Sequence, residues 1–216
     1  MDAAGFVLAG GQSRRMGSDK ALLPFAGEPL IARAVRTLHE AGLPASIAGA
    51  ASSARAPLAA YAPLVDDSEP GLGPLAGICA ALAATSARFA VFLPVDLPLL
   101  PPSLIGYLLR HAQITGHAVT VPSVNGFMQT FPAVVDRATL PALQTELRAT
   151  QRGCFSAFRA AADGLDQPVA SLAVELLAQS GQVSHSLGLP SFRWFLNVNT
   201  PQDLQRAEEI VSHAIA

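Results

Sequence analysis

The sequence predicts an α/β fold built on a mainly parallel sheet. Three observations carry this. Short apolar runs alternate along the chain with segments of helical periodicity. The strongest apolar run, residues 89–93 (FAVFL), shows no two-residue alternation, as expected of a strand buried on both faces. Glycine- and aspartate-containing segments follow the apolar runs directly, and open α/β sheets bind ligands beyond the carboxyl ends of their strands. A chain of 216 residues suits one domain, taken here as residues 1–216.

The elements follow in order. Residues 5–8 read as a buried first strand that ends in glycines. Residues 30–41 carry apolar side chains at helical spacing (Leu30, Ile31, Ala34, Val35, Leu38, Ala41), with Gly42 as the stop. Residues 45–48 form a second strand, and Leu64 and Val65 end another before Asp66 and Asp67. In the turn-rich stretch EPGLGPLAG, Pro74 suits the first turn of a helix running through Leu82. The strand at 89–93 leads into PVDLPLLPP, a helix over 103–111 and a strand over 118–121. The second half predicts a strand at 131–135, helices at 138–150 and 155–162, a break at GLDQP and a helix over 169–178. A short strand at 194–198 precedes a last helix, with Thr200 as N-cap, Pro201 at the first helical position and Asp203 in the first turn.

Composition narrows the function. Half the residues are apolar, 14% are charged and the formal net charge is −2, which gives no broad basic field for nucleic acid. No apolar run approaches the ~18 residues of a membrane span. The opening MDAAGFVLAGG lacks the basic and apolar regions of a secretion signal. Cys79 and Cys154 form no paired motif. The expectation is a reduced, cytoplasmic protein. Of the 14 Lys and Arg residues only one is lysine, and that is Lys20.

Lys20 lies in VLAGGQSRRMGSDK, residues 7–20. The stretch fits neither the dinucleotide fingerprint nor the Walker A loop. Gly10 and Gly11 nevertheless allow positive φ and a close backbone approach, so their N–H groups can face an anion. Arg14, Arg15 and Lys20 bring cations to the same loop. The composition also fits a tight turn with solvated charges. Asp96 sits between two prolines just past the 89–93 strand, placed either to hold Mg²⁺, which takes one or two carboxylates with phosphate oxygens and water, or to form an Asx turn. Asp66 and Asp67 suit a ribose or base contact, a metal, or a loop cap, and as strand neighbours they point to opposite faces. Asn197 and Asn199 are two apart and share a face if their segment is a strand; their amides suit a polar ligand, or Asn199 helps start the last helix. The five histidines show no metal-ligand spacing, and no G-x-S-x-G nucleophile motif occurs.

Four blocks together carry a resemblance. LAGGQSRRMGSDKALLPFAGEPLI resembles the opening signature of the molybdenum cofactor guanylyltransferases, and DDSEPGLGPLAGI, VFLPVDLPLLPPSL and LNVNTPQDL resemble their later blocks in the same order. The chain departs from the pattern at Gly49, at LPVD and at MQTFPAVV, mainly on the base and acceptor sides. The resemblance implies a Rossmann-like three-layer sandwich of the nucleotide-diphospho-sugar transferase kind. It implies transfer of GMP from GTP to molybdopterin-bound molybdenum with release of pyrophosphate, and Mg²⁺ as cofactor. Carried over by motif position, Leu8, Ala9 and Gly10 contact the nucleotide through their backbone, and Gly11, Arg15 and Lys20 hold its phosphates. Asp67 contacts the guanosine, Asp96 binds Mg²⁺, and Asn197 and Asn199 line the pterin-phosphate side. The partners so implied are the two small-molecule substrates and transient contacts with cofactor-synthesis or acceptor proteins. The competing readings are a cytidylyltransferase for the same pterin, a sugar-phosphate nucleotidyltransferase and a non-catalytic nucleotide-binding adaptor.

Overall fold

A computed structural model describes residues 2–9, 20–50, 54–66, 72–149 and 153–215. Nine strands and eight α-helices are assigned among them. The first strand, β1 (Ala3–Leu8), precedes a 3₁₀ turn at Lys20–Leu22 and the small hairpin of β2 (Pro24–Phe25) and β3 (Glu28–Pro29). Then come α1 (Leu30–Glu40), β4 (Ala45–Ala48), α2 (Arg55–Leu58), α3 (Pro74–Ala84), β5 (Phe89–Pro94) and α4 (Pro102–Thr115). The second half holds β6 (Val119–Val124), β7 (Phe127–Met128), β8 (Ala133–Asp136), α5 (Leu140–Arg148), α6 (Cys154–Asp163), β9 (Ala170–Ala173), α7 (Val174–Gln179) and α8 (Pro201–Ile215).

The main sheet runs β4-β1-β5-β8-β6-β7, with β9 also on β6. β1 pairs parallel with β4 and β5, and β6 pairs parallel with β9. β8 is antiparallel to both β5 and β6, so the sheet is mixed but mostly parallel. Alternate strand residues enter two separate cores. Val7, Ile47, Val91, Leu93 and Val134 join side chains of α1, α4 and α8 on one face. Phe6, Leu8, Ala48, Phe92, Ala133 and Val135 join α3, α5 and α6 on the other. This is the three-layer sandwich. Each fully buried Leu, Ile, Val or Phe contributes about 1.5–3 kcal/mol, so α1, which buries Leu30, Ile31, Val35 and Leu38, is held by packing rather than by a side-chain cap.

Two expected elements differ. Residues 169–178 do not form one helix, because Ala170–Ala173 pairs in parallel with β6 before the chain turns helical at Val174. Ala and Leu favour helix, but the free edge of β6 satisfies the backbone of these residues as a strand. Residues 194–198 form no strand either. A 3₁₀ turn occupies Ser191–Arg193, and Trp194, buried to 2% exposure, donates its indole N–H to the Leu189 carbonyl at 2.8 Å. Both neighbours of β5 are already taken by β1 and β8, so this segment crosses above the strand end and makes one backbone bond there. At Leu64 and Val65 the expected strand end is a single parallel bridge from Leu64 to Ile47. Among the described residues, Cys79 and Cys154 form no disulfide. No helix among the described residues is long and apolar enough to cross a membrane.

Candidate functional site at the strand ends

The register of the sheet brings Leu8, Ala48 and Pro94 side by side at the carboxyl ends of three parallel strands. The ladder continues a residue further, since the Ala9 N–H donates to the Ala48 carbonyl at 3.0 Å and the Val95 N–H to the Leu8 carbonyl at 3.3 Å. Leu8 is buried and Ala9 half-buried. Asp96 therefore lies two residues past the row, on a turn between Pro94 and Pro98 whose proline rings fix φ.

Lys20 reaches this row from the segment after β1. Its ammonium donates to Asp96 Oδ2 at 3.2 Å and to Asn199 Oδ1 at 2.7 Å. The Lys20 and Asp96 side chains are 14% and 27% exposed, so water reaches the pair without immersing it. Two segments, 76 and 179 residues beyond Lys20, thus meet its one nitrogen.

Each partner is held by its own local structure. The Val198 N–H donates to the Asp96 carbonyl at 2.9 Å, which docks the final segment on the aspartate turn. Asn199 is fixed by the capping box of α8. Asp203 Oδ2 accepts from the Asn199 N–H at 3.0 Å and the Thr200 N–H at 2.8 Å, while Thr200 Oγ1 accepts from the Asp203 N–H at 3.1 Å. The backbone bond from Asn199, then the bond with the Thr200 side chain, hold the Asp203 carboxyl below its usual range. The expected N-cap at Thr200 is therefore present, and it also positions the asparagine that meets Lys20.

The other expected positions divide. Gly10, Gly11, Arg14, Arg15 and Asp67 lie outside the described residues. Asp66 follows the Leu64 bridge at the outer edge of β4, is exposed, and forms an ion pair with Arg55, away from Lys20. Asn197 makes no hydrogen bond to Lys20 or Asp96 among the described residues; it lines an open groove of about 650 Å³ with Arg193, Phe195 and Arg206 beside α8. Without a strand at 194–198, the two-residue spacing does not bring both asparagines onto the lysine.

Among the described residues, no group of three or more His, Cys, Asp or Glu side chains is gathered to hold a metal. The single carboxylate of Asp96 fits instead a Mg²⁺ that arrives with phosphates, because that ion takes one or two carboxylates and completes its shell with phosphate oxygens and water. The arrangement can neutralise an anion with the Lys20 ammonium while presenting a carboxylate to its metal.

One contributor was not legible in the sequence. Arg33 of α1 donates through Nε to the Pro98 carbonyl at 2.6 Å, two residues past Asp96. Within an amphipathic helix pattern, an arginine reads as part of the solvated face.

Residues 5–172 match the MobA-like NTP transferase domain. A probable molybdenum cofactor guanylyltransferase of Haloferax mediterranei is 33% identical over 208 residues, covering 94% of this chain and 91% of its own length. A molybdenum cofactor guanylyltransferase of Sinorhizobium fredii is 33% identical over 211 residues, covering 94% and 89%. The molybdopterin-guanine dinucleotide biosynthesis protein A of Archaeoglobus fulgidus has a similar fold, with a TM-score of 0.78 at 24% identity over 97% of this chain and 99% of that one.

Proposed function

The chain belongs to the MobA-like NTP transferase family and is a nucleotidyltransferase, and from that premise we propose that it transfers GMP from GTP to molybdopterin-bound molybdenum, as a single domain using Mg²⁺. An oxygen of the terminal phosphate of the pterin attacks the α-phosphorus of GTP. The bond from that phosphorus to the bridging oxygen breaks, and pyrophosphate leaves with the electron pair. The attacking group is already an anion, so no general base is required. What the protein must supply is alignment and charge neutralisation between two polyanions.

The observation that carries this reading is the meeting of Lys20, Asp96 and Asn199 at the row of strand ends. In this role Lys20 and Arg15 neutralise the triphosphate, and Leu8, Ala9, Gly10 and Gly11 approach it with their backbone. Asp67 contacts the guanosine, and Asn199 faces the acceptor phosphate. Asp96 holds Mg²⁺, which supplies electrostatic stabilisation of the charge developing on the phosphate oxygens.

The test is a panel of α-labelled GTP, CTP, ATP and UTP with molybdopterin and Mg²⁺. GMP enters the product with stoichiometric pyrophosphate release. Incorporation of CMP instead would make the enzyme a cytidylyltransferase, and binding without pyrophosphate would make it an adaptor. Lys20→Ala and Asp96→Asn should each lower turnover by about 10²–10³-fold or more, the scale of a lost transition-state charge contact. Wild-type turnover in either variant removes that residue from the mechanism.

A further inference from the structure

The geometry points to Arg33 as the residue that sets the spacing of Lys20 and Asp96, by gripping the two chain segments that carry them. The inference rests on the role of Asp96 given above and goes beyond it in assigning a positioning residue outside the strand-end row.

Arg33 lies on α1, and its side chain is 16% exposed. Its Nε–H donates to the Pro98 carbonyl at 2.6 Å, on the turn that follows Asp96. Its Nη1 pairs with Glu28 Oε1 at 3.4 Å, and its guanidinium lies 4.9 Å from the centre of the Phe25 ring. Phe25 and Glu28 are the two sides of the hairpin that directly follows the Lys20–Leu22 turn. That hairpin is tied back to Lys20 at its base, where the Leu23 N–H donates to the Lys20 carbonyl at 3.2 Å and the Leu30 N–H to the Leu23 carbonyl at 3.0 Å. One planar group therefore joins the lysine segment to the aspartate segment.

The chemistry of arginine explains the choice. The fork offers several donors in fixed directions and a flat face that stacks on an aromatic ring. A lysine ammonium can reach one of these partners but cannot bond Pro98, pair with Glu28 and stack on Phe25 together. Burial and then Arg36 hold the Arg33 guanidinium below its ordinary pKa, and Glu28 opposes them only in part. The grip on Pro98 also complements the bond from Val198 to the Asp96 carbonyl, so the turn is held on both sides of its bend.

The test compares Arg33→Met, which keeps an apolar stem over Phe25, with Arg33→Lys. Hydrogen–deuterium exchange of the peptide spanning residues 95–100 should quicken at least about fivefold in Arg33→Met, because the turn loses a tie that restrains local opening. Binding of Mn²⁺ in the presence of GTP, read from the free-ion electron paramagnetic resonance signal, should weaken at least about fivefold, and kcat should fall about tenfold with the KM for GTP within twofold, as for a misaligned reacting group. Arg33→Lys should fold like the wild type and fall between the two. Unchanged exchange at 95–100, or unchanged Mn²⁺ binding in folded Arg33→Met or Arg33→Lys, overturns the inference. Asp96→Asn serves as the control for the underlying reading: if it retains metal-dependent turnover, that reading fails, whereas the exchange measurement tests the grip by itself.

Discussion

Lys20 satisfies two acceptors, Asp96 and Asn199, at once, as a point charge on a flexible stem can. Asn199 is the neutral acceptor of the two and is exposed to solvent; in the role proposed above, its Nδ2 hydrogens would donate to a phosphate oxygen. Replacing Asn199 by Ala should leave folding intact and lower kcat about tenfold, the weight of one hydrogen bond to a charged group. Steady-state kinetics with a thermal unfolding control checks this, and unchanged kcat would show that the asparagine only decorates the start of α8. Lys20, Asp96 and Asn199 were legible because each lies in a short block with unusual residue types: the sole lysine, an aspartate between prolines, an asparagine before a helix cap. Arg33 was not, since its partners Pro98, Phe25 and Glu28 lie at different sequence separations and only the fold brings them together.

At the scale of elements, α3 shows what a small residue inside a motif is for. Gly77 closes the GPLAG stretch, and a Cβ there would stand 3.0 Å from both the Cα and the N of Gly49, at the exit of β4. Gly49 itself has φ +71°, which a side chain disfavours. The helix therefore packs directly on the loop that leaves the second parallel strand. Gly77→Ala should destabilise the fold by about 1–3 kcal/mol, since backbone atoms cannot rotate out of the way. Gly5→Ala should cost less, because its new methyl would meet only the side-chain end of Leu38, at 3.0 Å. Urea unfolding of both variants checks the order, and equal costs would contradict the close approach. The start of α3 at Pro74 and the extent of β4 were readable from turn residues and apolar runs. The strand at Ala170–Ala173 was not, because its four small or apolar residues carry no period and only the open edge of β6 selects the extended state.

For the molecule as a whole, the alternation of apolar runs and helices revealed the layers, but not the reversal of β8 between β5 and β6. An antiparallel strand buried on both sides has the same apolar composition as its parallel neighbours, and its direction is set by the short β6–β7 connection that turns the chain back. Two partly buried histidines, His185 and His111, give the stability a pH dependence. His185, beside Trp194, is held below its usual pKa first by burial and then by the charge of Arg33, partly opposed by a backbone bond at Leu99. His111, stacked on His117, is lowered by burial and then by that neighbour. For a histidine whose folded pKa is depressed, the unfolded chain binds the proton first. Stability is therefore unaffected well above the ordinary value near 6.5 and falls as the pH drops through it towards the folded pKa. Asp203 acts in a different window: its depressed pKa lends stability above the ordinary carboxylate value that is lost only as the pH falls below about 4. Urea midpoints between pH 7.5 and 5 should thus decline through the histidines, by no more than the one-proton limit of about 1.4 kcal/mol per pH unit for each group. The more solvated His111 should contribute the smaller share. His185→Asn, which keeps an acceptor for the Leu187 N–H, should flatten the decline, and Arg33→Met should raise the His185 pKa in a ¹H–¹⁵N titration because the opposing cation is gone. A wild-type midpoint that stays level from pH 7.5 to 5 would mean that both imidazoles titrate alike in the folded and unfolded chain.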